Sequence, residues 1–228
     1  RRGRPIVSQR SGLFVTGTDT EVGKTLVAAA LVHAYRQTGR KAVGLKPIAA
    51  GCHLVNGMWR NEDIDTLLAA SSPGITAEDI NVYLFHEPIA PHIAAAREGT
   101  RIHVDRIVAR FDALAENADA VVVEGAGGFL VPLGGEASFA DLAVALGLPV
   151  VLVVGMRLGC INHALLTQEA IAARGLRLAG WVANRVVPAM DVYEENLSTL
   201  AALLKAPMLG EIPHLPEPRA DLASVRLP

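Results

Sequence analysis

Gly17-Thr18-Asp19-Thr20-Glu21-Val22-Gly23-Lys24-Thr25 decides the reading of this chain. It follows a short apolar run, Leu13-Phe14-Val15-Thr16, and opens into Leu26-Val27-Ala28-Ala29-Ala30-Leu31-Val32, an alanine-rich stretch that reads as a helix. A strand, a tight loop ending in Gly-Lys-Thr and a helix together describe a phosphate-binding P-loop. Backbone N–H groups of the loop and of the helix N-terminus converge there, and the aligned peptide dipoles favour an anion. Lys24 is expected to reach the terminal phosphates and the Thr25 hydroxyl to ligate a magnesium ion. The glycine spacing is unusual. The common pattern sets a glycine where this chain has Thr18, and here the glycine is Gly17, one place earlier. Asp19 and Glu21 add acidic groups beside an expected polyphosphate.

Outside this loop, apolar runs alternate with helical patterns almost to the end of the chain. Lys41–Leu45, Ala120–Val123, Val150–Val154, Leu178–Ala183 and Met208–Ile212 read as further strands. Continuous apolar strands of this kind are buried on both faces, as in a parallel sheet. Asp105–Glu116, Phe139–Leu146, Asn162–Ala173 and Tyr193–Leu204 read as helices. Ser138 with Asp141 makes a capping-box-like start, and Gly175 is a plausible stop. The repeated order predicts right-handed crossovers and a three-layer α/β sandwich. The fold class is thus a P-loop NTPase fold, with a mostly parallel central sheet flanked by helices. The stretch from Gly51 to Gly99 is less regular and is expected to carry loops and short helices.

Composition narrows the function. The chain has 228 residues, which suits one domain with a substantial core. Only 4% are aromatic and the net charge is −2, so neither stacking surfaces nor a basic field for nucleic acid is present. No run approaches the roughly 18 apolar residues of a membrane span. Two cysteines, Cys52 and Cys160, make no disulfide framework, and a cytoplasmic setting is expected. Residues 1–11, with their basic start, are expected to form a disordered extension. Residues 12–215 form the single domain, and residues 216–228 form a loosely held, proline-rich tail.

Ligands of open α/β sheets bind outside the carboxyl ends of the strands. Lys46, Glu124, Asn184 and the P-loop each follow an apolar strand. Lys46 is either a surface lysine capping a strand or a second cation aimed at a transferring phosphoryl group. Glu124 either caps the turn Gly125-Ala126-Gly127-Gly128 or holds magnesium or water. That turn does not complete G-x-G-x-x-G, because Leu130 occupies the last place. Asn184 is either a turn residue or a partner for a purine edge. By charge pattern alone, Asp63 and Asp65 are a solvated helix start. Cys160-Ile161-Asn162-His163 has no second ligand pair for zinc, and no G-x-S-x-G is present.

These motifs, with Lys46-Pro47-Ile48-Ala49, Pro91-His92, Leu158-Gly159-Cys160-Ile161-Asn162-His163, Gly180-Trp181-Val182-Ala183-Asn184 and Gly210-Glu211-Ile212-Pro213, resemble the dethiobiotin synthetases. The likeness covers about residues 13 to 215 in the family's order, and it accounts for the displaced glycine. It implies an ATP-dependent cyclo-ligase acting on 7,8-diaminononanoate and carbon dioxide or bicarbonate, with Mg2+. It implies that Lys24 and Lys46 are catalytic and that Thr25, Asp63 and Glu124 hold the metal, which reverses the charge-pattern reading of Asp63. Thr20, Glu21, Val22, Gly23, Lys24, Thr25 and Leu26 would surround the phosphates, with Gly125, Ala126 and Gly127 beside Glu124. Asn184, Arg185, Pro213, His214 and Leu215 would flank the base. Thr20, Lys46, Ala50, Gly159, Cys160, Ile161 and Asn162 would meet the diamine substrate. The last four belong to a helix end that the partner subunit of a homodimer contributes. Members often carry Ser or Thr where this chain has Ala50, so that hydroxyl is absent here. Other amide-forming ATP ligases of the superfamily and P-loop switch ATPases are the competing readings. Against them stand the absence of a glutaminase domain and of a second loop lysine.

Overall fold

The structure, a computed structural model, describes residues 11–216, 219–220 and 223–228. The basic start of the chain lies outside the described residues. Six strands form one parallel sheet: β1 (Gly12–Gly17), β2 (Ala42–Leu45), β3 (Ala120–Gly128), β4 (Val150–Gly155), β5 (Leu178–Asn184) and β6 (Met208–Ile212). Their spatial order is β6-β5-β4-β1-β3-β2. β1 lies between β4 and β3, with Phe14 opposite both Val150 and Val123. The chain lays β2 and β3 on one side of β1 and then crosses to lay β4, β5 and β6 on the other, and this reversal of order beside β1 opens a crevice at the carboxyl end of the sheet.

Strand alternation distributes the core over both faces. Val151, Val153 and Val182 belong to the main core. Leu152, Val154, Trp181 and Ala183 belong to a second cluster, with Cys160, Ala164 and Leu200. Successive side chains of one strand must point to opposite faces, so both faces are covered. The covering helices are α1 (Lys24–Gln37), α2 (Glu62–Ala70), α3 (Ala77–Ile80), α4 (Pro91–Arg97), α5 (Val104–Ala115), α6 (Phe139–Leu146), α7 (Cys160–Ala173) and α8 (Tyr193–Leu203). Ser138 and Asp141 make both bonds of the capping box at α6. Gly175, at φ 70°, follows the end of α7 as a left-handed stop.

Three details depart from the sequence reading. β3 does not end at Val123 but continues through Glu124 to Gly128. Glu124 pairs with Val15 and Gly128 with Gly17, across a register shift that the small residues permit. The irregular stretch is more ordered than expected. It holds an antiparallel hairpin, His53–Val55 with Met58–Arg60, then α2, α3 and the strand Tyr83–Phe85 beside Ile48–Ala50. The described end of the tail is packed: Ala223 and Val225 are buried, and Arg226 N–H donates to Leu209 O at 2.8 Å. Its backbone covers an edge of β6 that would otherwise lie open.

Candidate active site

The P-loop forms as read, and its packing explains the odd glycine. A Cβ at Gly17 would lie 2.6 Å from Val22 Cγ2. Val22 is buried in a socket between Gly17 and Gly155, so it anchors the loop and leaves the phosphate side to backbone groups. Glu21 takes a left-handed φ of 58°, a conformation that costs a non-glycine residue about 1 kcal/mol or more and is common at ligand clamps. Lys24 donates from Nζ to Asp19 O at 2.8 Å across the loop.

Four elements bring the charged groups together. α1 supplies Lys24 and Thr25, the end of β2 supplies Lys46, α2 supplies Asp63 and β3 supplies Glu124. Asn61 caps α2 by accepting from Asp63 N–H and Ile64 N–H. It also donates to Gly51 O at 2.7 Å, which fixes α2 to the chain beyond Lys46. Lys46 Nζ sits 2.7 Å from Asp63 Oδ2 and 2.6 Å from Glu124 Oε1. Thr25 Oγ1 lies 2.8 Å from Asp63 Oδ1 and 2.8 Å from Glu124 Oε1.

Burial and charge tune these groups against each other. Burial, then the nearby charge of Lys46, lowers Lys24 to about 8. Burial opposes the charge of Lys46, but Glu124 and Asp63 outweigh it and hold the ammonium above its ordinary value. Burial also works against the Asp63 carboxylate, but Lys46 and Thr25 keep it below the usual range. Burial pushes Glu124 up, with Lys46 pulling the other way. A neighbouring polyphosphate would favour the charged form of both lysines.

The same oxygens suit a hard cation. The Thr25 hydroxyl has one proton and faces two carboxylates. Glu124 Oε2 is buried and without a hydrogen-bond partner among the described residues. Among the described residues no three His, Cys, Asp or Glu side chains form a protein-only metal cage. Magnesium normally needs none, since it takes one or two carboxylates and completes its shell with waters and substrate phosphates.

These groups line one cavity of about 810 Å³. Of the expected residues it gathers Thr20, Glu21, Gly23, Lys24, Thr25, Leu26, Lys46, Ala50, Asp63, Glu124, Ala126 and Gly127. The opposite wall is Pro88, Ile89, Ala90, Pro91 and Val131, with Glu62 and Thr66 from α2. Apart from the quoted Pro91, the sequence reading missed that wall, because short apolar stretches carry no signal of which cavity they face. A second group lies at the ends of β5 and β6. Asn184 donates to Val22 O at 2.9 Å, Arg185 N–H donates to Ile212 O, and the His214 ring meets Arg185 O at 3.3 Å. The Arg185 guanidinium lies 3.6 Å from the centre of the Tyr193 ring and 3.0 Å from Glu211, so its side chain is engaged there. Pro213 and Leu215 follow β6, and Gly125 continues β3. Gly159, Cys160, Ile161 and Asn162 open α7 and do not line the cavity of their own chain. The Cys160 side chain is buried in the second core cluster.

A family model described as an AAA domain matches residues 11–220. ATP-dependent dethiobiotin synthetase BioD from Aromatoleum aromaticum is 58% identical over 219 residues, which are 94% of this chain and 96% of that protein. The chain belongs to the dethiobiotin synthetase family. More distant likenesses in three dimensions are to P-loop NTPases. A ParA family ATPase from Chlorobium tepidum TLS is 11% identical, with a TM-score of 0.56 over 92% of this chain and 86% of that one. The septum site-determining protein MinD from Pyrococcus horikoshii OT3, complexed with Mg-ADP, is 17% identical, with a TM-score of 0.53 over 91% and 82%. The signal recognition particle receptor FtsY from Elizabethkingia anophelis is 14% identical with a TM-score of 0.52, and this chain spans 63% of its length. These three establish the fold alone. No helix among the described residues is long and apolar enough to cross a membrane.

Proposed function

We propose that the protein is an ATP-dependent cyclo-ligase that converts 7,8-diaminononanoate and carbon dioxide to dethiobiotin. One observation carries this reading: two lysines, Lys24 and Lys46, flank a Thr-Asp-Glu oxygen cluster at the polar end of one cavity with an apolar wall. One amine of the substrate takes up carbon dioxide as a carbamate and releases a proton. A carbamate oxygen attacks the γ-phosphorus of ATP, and the bond to the β-phosphate oxygen breaks. The second amine attacks the carbonyl carbon of the resulting mixed anhydride. Phosphate leaves, a proton is lost and the cyclic urea closes.

The residues meet the demands of that chemistry. A carbamate and a triphosphate are both anionic, and Lys24 and Lys46 offset their repulsion and the charge of the transferring group. Thr25, Asp63 and Glu124 would hold magnesium, which when bound neutralises charge on phosphate oxygens. Pro88, Ile89 and Val131 offer an apolar face to the carbon chain. Ala50 leaves that part of the wall without a hydroxyl, so backbone groups near Ala50 and Gly51 serve there. Asn184 and residues 213–215 flank the adenine.

The active form on this reading is a homodimer in which the partner's α7 N-terminus receives the substrate carboxylate. Leu158 is 94% exposed beside that helix start, and Leu130 and Leu166 are exposed around the cleft next to it. Free cysteines and the lack of a described spanning helix suit a cytoplasmic enzyme.

Incubation with 7,8-diaminononanoate, bicarbonate, magnesium and ATP, read by mass spectrometry, should give dethiobiotin. ATP loss indifferent to the diamine would sink the ligase reading. Sedimentation should give twice the chain mass, and a monomer with full turnover would overturn the shared site.

A further inference from the structure

We infer that Arg157, in the loop after β4, is a positioning residue that neutralises Asp19 of the P-loop and so sets the loop's affinity for a triphosphate. The inference rests only on the reading of the P-loop as an ATP site, not on which acceptor receives the phosphoryl group.

Asp19 is an awkward residue in an anion-binding loop, since a carboxylate there repels the ligand. It has three engagements. Its Oδ1 accepts from Thr20 N–H at 2.8 Å, its carbonyl accepts from Lys24 Nζ at 2.8 Å, and its Oδ2 is paired with the Arg157 guanidinium. The carboxylate therefore shapes the loop locally, and its backbone holds the lysine that phosphate requires. Arg157 arrives from the loop after β4, 138 residues away, and cancels the charge that comes with that shape. The guanidinium suits this task because its planar fork of N–H donors matches a carboxylate.

Arg157 is also tied at its other end. Its carbonyl accepts from Cys160 N–H at 3.0 Å in the turn that opens α7. The preceding Gly155 N–H reaches Thr18 Oγ1 at 3.4 Å, and Gly155 is packed against Val22. The last residue of β4 and the short loop after it thus contact the P-loop at Thr18, Val22 and Asp19, and the loop then becomes the first turn of α7. Arg157 and Asp19 do not line the cavity, so the effect on ligand is indirect.

Binding of ATP in the presence of magnesium tests this with four proteins: wild type, Arg157→Ala, Asp19→Asn and the double variant. Asparagine keeps the acceptor for Thr20 N–H and removes only the charge. Arg157→Ala should weaken ATP binding by about tenfold at low salt, less at high salt, because the uncompensated charge of Asp19 would then repel the triphosphate from behind the loop. Asp19→Asn in the Arg157→Ala background should restore most of the loss, and Arg157→Lys alone should restore part of it. Melting temperatures should stay within a few degrees of wild type. Wild-type affinity in Arg157→Ala, or a loss that Asp19→Asn does not relieve, would overturn the proposal. Nucleotide affinity is read without the diamine, so a failed ligase assay leaves this test intact.

Discussion

The side-chain amide of Asn184 occupies the space that a Cβ at Gly23 would need. Asn184 Nδ2 would lie 2.2 Å from that Cβ, and Gly23 itself has a φ of 87°. The amide also donates to Val22 O, so the end of β5 is fastened to the P-loop. The glycine before Lys24 is thus required twice, by its backbone and by its neighbour.

Gly23→Ala should therefore abolish ATP binding, with a loss of at least about 100-fold by calorimetry. Strain at a positive φ adds to the displacement of Asn184. Measured against Asn184→Ala alone, which corrects for the base contact of Asn184, the double variant Gly23→Ala with Asn184→Ala should recover part of the loss. No recovery would assign the whole effect to the backbone.

Lys46→Ala should remove turnover by about 100-fold or more while leaving most nucleotide binding, as expected of a group that meets the transferring phosphoryl rather than the ground state. Single-turnover phosphate release and ADP affinity separate the two. Equal loss of both would make Lys46 a ground-state nucleotide contact. The variant should also be less stable, since Glu124 and Asp63 lose their cation.

Glu124→Gln should raise the magnesium concentration for half-maximal turnover about 10-fold or more. Glutamine preserves the shape but removes the charge on a buried group whose Oε2 has no protein partner among the described residues. An unchanged magnesium titration would rule out the ligand role.

At α6 the sign of the pH dependence can be stated. The hydrogen bond from the Ser138 hydroxyl outweighs the opposing effect of burial, and with Ser138 N–H and Arg174 it holds Asp141 below its ordinary value. A depressed folded-state value means the stabilisation is present above the unfolded value near 3.9 and is lost as pH falls below it. Asp141→Ala should cost about 1 kcal/mol at pH 7 by urea unfolding. The gap from wild type should narrow as pH falls from about 5 through the depressed folded-state value of Asp141. A gap that stays constant would show that the charge is irrelevant.

The alternation of apolar strands with helices, and the strand–loop–helix around Lys24, were legible because strand and helix periodicities are local. Five of the six sheet strands were read to within a residue or two. β3 was cut short because the run Gly125-Ala126-Gly127-Gly128 reads as a turn, whereas parallel pairing with β1 draws it into the sheet. Asp63 stood on the other side of that limit. Its charge pattern fits a helix start, which it is, and only the approach of α2 to β2 and β3 makes it a partner of Lys46 and Thr25.

By itself, the sequence determined the doubly covered parallel sheet, the phosphate loop and its variant glycine, because hydrophobic period and turn chemistry act over a few residues. Folding decided which charges meet. Lys46 and Glu124 are 78 residues apart, Thr25 and Glu124 are 99 apart, and Arg157 and Asp19 are 138 apart. Those pairs depend on strand order and crossover, and no local periodicity encodes them. The P-loop therefore announced a phosphate site, but the partners that neutralise it, anchor it and supply its cations were set by the packing of β2, β3, β4 and α2 around it.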